Sequence, residues 1–147
     1  MKQEEEELLL QDLCGRLPYG IKCYITEIND TRTLGTIVYN KENSLFDFWN
    51  VSNTRYEYQL YLSEFKPYLF PLTEEILDKA TEESISLYKE LITSDSDLYK
   101  ENNKPNTLQL QAQIRSSVIK YFIIHHIDYN GLIEKGLAID ATNLNIY

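Results

Sequence analysis

The hydrophobic period of this chain changes twice, and those changes limit the folds open to it more than any other feature. Over residues 4–17, Leu9, Leu10, Leu13, Cys14 and Leu17 recur at three- and four-residue spacing, the stripe of an amphipathic helix. Glu4 to Glu7 fall in its first turn, where carboxylates suit the exposed N–H groups, and Pro18 stops it. From residue 19 to residue 62 the period is two. Ile21, Cys23 and Ile25 alternate with Lys22, Tyr24 and Thr26, and residues 34–39, 45–51 and 56–62 continue the strand pattern. Asn29-Asp30 and residues 40–44 supply turn chemistry between them.

Residues 63–72 carry Pro67 and Pro71 and read as a joint, a turn or one 3₁₀ segment. Helical spacing then returns. Leu77, Ala80, Leu87, Leu91 and Ile92 form one side of a helix over residues 73–92, a stripe that Ser84 interrupts. Residues 93–106 are polar and read as a mobile loop. A third helix is expected over residues 108–127, its apolar C-terminal half central in the core. Residues 131–135 add one helical turn, ended by Gly136 in the left-handed region.

These elements predict an α+β fold: an N-terminal helix, a four-stranded antiparallel meander, two helices and a short C-terminal helical turn. The meander has the strand lengths to roll into an SH3-like barrel. The organisation expected is a helix-plus-meander half, residues 1–72, and a helical half, residues 73–147, packed as one compact domain. At 147 residues such a chain buries roughly 69% of its unfolded surface, enough for a core without metal or disulfide staples.

Charge narrows the function classes. Lys and Arg number 14 against 23 Asp and Glu, a net charge of −9 concentrated over residues 1–20 and 73–107. No basic stretch offsets it, which disfavours direct nucleic-acid binding, since phosphate contacts need Lys or Arg. No apolar run approaches the roughly 20 residues of a membrane span. The two cysteines, Cys14 and Cys23, read as free, partly buried thiols, and a cytoplasmic protein is expected.

No cofactor or metal pattern is present: the five glycines build no phosphate loop, and no His/Cys spacing matches a zinc site. His125, His126 and Asp128 are the one cluster with acid–base residue types. Adjacent helical histidines point about 100° apart, and Asp128 suits an N-cap for the following turn. Twelve tyrosines, with Phe46, Phe48 and Trp49 beside Tyr56 and Tyr58, supply instead the aromatic side chains that protein interfaces favour. Those five residues are the candidate binding set, with oligomeric state left open.

Three stretches carry a resemblance: LLLQDLCGRLPYG at residues 8–20, FKPYLFPL at 65–72 and HHIDYNGLIEKGLAI at 125–139. In that order they resemble a family of small proteins from gut Bacteroides-type bacteria and their phages or prophages. Phe70 and Asn130 stand where that family usually has Arg. The resemblance implies a setting, a phage or mobile-element accessory protein in a bacterial host cell, and implies no reaction. With charge and aromatics it leads to the expectation of a non-enzymatic protein-binding module, in one version an acidic inhibitor of a host defence or nucleic-acid enzyme. The alternatives are a virion or assembly component, and an enzyme using His125, His126 and Asp128.

Overall fold

The computed structural model describes residues 1–42, 45–50, 56–94 and 107–147, of which residues 48–50, 56–59, 88–94 and 107 are described by their backbone. The fold is mixed α+β. It divides into two compact units, one of residues 1–71 with 126–147 and one of residues 72–125. The expected loop at 93–106 and the turn residues 43–44 lie largely or wholly outside the described residues.

The first unit begins with helix α1 (Gln3–Arg16), where the Glu5 side chain accepts from the Lys2 N–H at 3.0 Å. A 3₁₀ turn at Leu17–Tyr19 ends on Gly20, whose φ of 75° gives the chain its exit. Strands β1 (Lys22–Ile25), β2 (Asp30–Asn40), β3 (Leu45–Asn50) and β4 (Tyr56–Leu60) then form the expected antiparallel meander. Burial follows the predicted alternation in β1, with Cys23 and Ile25 inside. The pairing of β2 with β3 shifts register between Leu34 and Thr36, around Gly35.

The joint expected at residues 63–72 is a strand. Only Leu62–Glu64 is 3₁₀; β5 (Phe65–Pro71) pairs antiparallel with β1. It also gains parallel rungs from β6 (Ile127–Asp128) and β7 (Ile139–Asp140). The prolines fit because alternate residues of a strand aim their backbone groups at the same edge. Ala141 N–H donates to Leu69 O, whereas the neighbouring Phe70 N–H donates to His126 O, so β7 and β6 meet opposite edges of β5. Pro67 and Pro71 lie two residues either side of Leu69, and their missing donors face the β7 edge, confining that ladder to a short stretch. Among the described residues no pairing joins β4 to β5, β6 or β7, so the sheet is open and is not a closed barrel.

In the second unit, α2 (Glu74–Ser94) starts at Thr73, whose hydroxyl accepts from the Ile76 N–H at 3.2 Å, and α3 (Thr107–Ile124) pairs with it. Ser84 does not interrupt the buried face of α2; it lies on it with Ala80, its hydroxyl satisfied by the Ala80 carbonyl at 2.8 Å. Leu77 and Leu87 are exposed instead. Helix α3 stops three residues early, at Ile124, because His126 takes a φ of 59° and Ile127 enters β6. Its C-terminal half is less central than expected: Phe122 is buried, but Ile119 and Ile124 are exposed.

The core of the first unit gathers Leu9 and Leu13 of α1, Ile21, Cys23, Ile25, Leu34, Phe65, Leu69 and Leu132. Burial of each large side chain contributes about 1.5–3 kcal/mol. Of the stripe expected for helix α1, Leu9 and Leu13 are buried, joined by Asp12 and Arg16, while Cys14 is exposed. Arg16 is 0% exposed. It grips Asp12 through Nε–Oδ2 at 2.7 Å and Nη2–Oδ1 at 3.0 Å, and Nη2 donates to Ile127 O at 2.7 Å. The Asn130 amide donates to Asp12 Oδ1 at 3.0 Å, and the guanidinium lies 5.4 Å from the Tyr129 ring centroid.

Arg16→Met leaves the Asp12 carboxylate buried without its cation and is expected to cost about 3–5 kcal/mol in urea unfolding followed by circular dichroism. The double change Asp12→Leu with Arg16→Met is expected to lie closer to wild type than either single change. For the thiols, Ellman's reagent should titrate Cys14 at once and Cys23 only in denaturant, since burial of Cys23 pushes its thiol far above the usual range and suppresses the thiolate.

Candidate functional site

Sheet pairing brings the five aromatic candidates onto two neighbouring strands. Phe48 and Tyr58 are register partners, as are Trp49 and Tyr56 across the shift in register, and Phe46 lies opposite Leu60. The side chains of Phe48, Trp49, Tyr56 and Tyr58 lie outside the described residues. Phe46 is half-buried and packs on its β2 partner Tyr39, ring centroids 5.1 Å apart and planes at 49°.

The histidine cluster divides between the units. His125 ends the helical unit, its ring 4.2 Å from that of Tyr121, beside a shallow groove that Glu83, Ser84 and Lys120 also line. His126 belongs to the first unit, stacked on Tyr147 at 3.7 Å with 11° between planes. Asp128 serves the following turn, though from farther back than an N-cap: it sits in β6, and its Oδ1 and Oδ2 accept from the N–H groups of Leu132 and Ile133, four and five residues on, each at 2.9 Å. Its carboxylate therefore caps the turn that Gly136 closes with a φ of 70°. Among the described residues no group of three or more His, Cys, Asp or Glu side chains could hold a metal ion, and no helix is long and apolar enough to cross a membrane.

Tyr147, which the sequence did not single out, completes the sheet. The Cys23↔Pro67 pair makes Lys22 and Tyr68 the next rung, and the Tyr147 hydroxyl stands in that rung. It accepts from the Lys22 N–H at 3.1 Å and donates to Tyr68 O at 2.9 Å. Burial holds this phenol well above the usual range, so it keeps the proton the relay needs.

A groove of about 650 Å³ lies between α1 and the sheet. Gln3, Glu6, Glu7 and Leu10 repeat at helical spacing and present one face of α1 to it. The Tyr39–Phe46 pair of the hairpin and Tyr61 and Leu62 complete the lining. Leu62 is buried, while Tyr39 and Tyr61 are 49% and 60% exposed. The Tyr61 backbone is held by the Glu64 carboxylate, which accepts its N–H at 2.8 Å. The result is an apolar floor, two accessible phenol rings and a carboxylate rim. Of the lining residues only Phe46 belongs to the aromatic binding set expected from the sequence. The usable signal was the spacing of Glu6, Glu7 and Leu10, which sets the glutamate run beside an apolar side chain.

Tyr147→Phe removes the relay while keeping the ring, leaving Lys22 N–H and Tyr68 C=O without their bridge. It is expected to destabilise the protein by ~1–3 kcal/mol, read as a lower urea midpoint, with faster amide exchange at Lys22.

No family model, no curated protein and no solved structure matches this chain.

Proposed function

We propose that this chain is a non-enzymatic protein-binding module whose docking site is the groove between α1 and the β2–β3 hairpin. One observation carries the reading: two well-exposed tyrosines, Tyr39 and Tyr61, wall a concavity with an apolar floor. Large aromatic rings left in water beside a groove are the anchors that interfaces bury. Phe46 is the member of the aromatic candidate set that lines it. The net charge of −9 favours a basic partner and fast, salt-dependent association. The setting that fits the resemblance to phage and prophage proteins is an accessory role in a bacterial cytoplasm, with acidic surface standing in for nucleic-acid phosphate at a host enzyme.

Tyr61→Glu tests this, because Tyr61 is exposed and its change leaves the core untouched. Tagged wild type and variant are used to capture partners from nuclease-treated bacterial lysate at low and high salt. The expected result is one stoichiometric basic protein held by wild type at low salt, released at high salt and lost with the variant. Equal capture by both forms, or binding indifferent to salt, would overturn the proposal.

A further inference from the structure

Resting on that reading, we infer that the groove is selective for a peptide segment of the partner that carries an arginine next to apolar side chains. The chemistry of its walls sets this class. Its floor, from Leu10, Phe46 and Leu62, takes apolar groups, and among its described lining residues none is basic. Its rim holds the Glu6 and Glu7 carboxylates, one helical step apart on the face that turns to the groove. Glu7 Oε1 accepts from Gln3 Nε2 at 3.1 Å, which steadies that side chain. Tyr39 and Tyr61 add accessible ring faces.

Each wall alone would accept many ligands. A neutral apolar segment fills the floor but leaves the carboxylates facing it uncompensated, and an acidic one is repelled by them. A free cation meets the rim but leaves the floor wet. Arginine satisfies both: its methylene stem lies on apolar surface, and its planar guanidinium stacks on phenol rings while its N–H groups pair with carboxylates. The volume, about 650 Å³, is within the range of recognition pockets and suits a short segment better than a single side chain.

The test uses three short blocked peptides, identical except at the centre of a leucine–X–leucine core: arginine, citrulline, which keeps the shape and loses the charge, and glutamate. Binding to the whole protein is followed in amide ¹H–¹⁵N correlation spectra. The arginine peptide is expected to shift Glu6, Glu7, Leu10, Tyr39, Phe46 and Tyr61, and to bind about tenfold tighter than the citrulline peptide. In Glu6→Gln/Glu7→Gln protein its affinity should fall to that of the citrulline peptide, whose own binding stays unchanged. Both changes are at the exposed rim and keep helix-forming side chains. Equal affinity for arginine and citrulline peptides in the groove would overturn the charge selection and leave a binding module standing. No groove shifts with any peptide would overturn the inference, and unaltered partner capture by Tyr61→Glu would then remove the docking site itself.

Discussion

A guanidinium with no exposure to water is costly to bury, and the first unit is arranged around it. Transfer of Arg16 and Asp12 from water costs several kcal/mol per ion, and their mutual attraction offsets this only when geometry and hydrogen bonding are nearly complete. Here the fork is bidentate, the Ile127 carbonyl takes another N–H, and the Asn130 amide satisfies Asp12. Those partners come from a segment more than a hundred residues away in the chain. The pair thus ties α1 to the stretch that forms β6 and its following turn, and it does so directionally, which apolar contacts alone would not. Leu9 and Leu13 provide burial; Arg16 sets rotation and register.

The sheet shows a second device of the same kind. Antiparallel β1 covers only the first residues of β5, and the next rung is completed by a side chain, the Tyr147 hydroxyl, instead of a backbone group. Pro67 and Pro71 limit the other edge. In β5 the prolines lack a donor on the β7 edge, whereas Phe70 on the other edge keeps its N–H and finds the His126 carbonyl.

Local pattern carried much of the fold: helix α1, the alternation of Ile21, Cys23 and Ile25, the meander, the Asp128 cap and the left-handed Gly136. Elements held by distant partners were not legible. Two prolines in seven residues read as a joint, and only long-range pairing with Lys22–Ile25, Ile127–Asp128 and Ile139–Asp140 makes those residues a strand. Asp12 and Arg16 look like a solvent-exposed pair four residues apart, yet Leu9 and Leu13 share their face. The overrun of α3 had a similar cause, since nothing local marks His126 as left-handed. For the site, Phe46 was legible as an aromatic on a strand, whereas Tyr39 and Tyr61 come to line one groove with Glu6 and Glu7 only once α1 lies beside the hairpin.

Helix α1 therefore works on two faces. Leu9, Asp12, Leu13 and Arg16 point to the core, and Gln3, Glu6, Glu7 and Leu10 to the groove; at 100° per residue the two stripes are centred about a third of a turn apart. Rotation that satisfied Arg16 differently would carry Glu6 and Glu7 off the line of Tyr39 and Tyr61. The buried pair at the C-terminal end of the helix thus fixes which carboxylates of the N-terminal run reach the groove. Glu4 and Glu5 are left to the helix end, where Glu5 accepts the Lys2 N–H. One glutamate run serves both the helix terminus and the groove rim, and the division between the two tasks is made by Arg16.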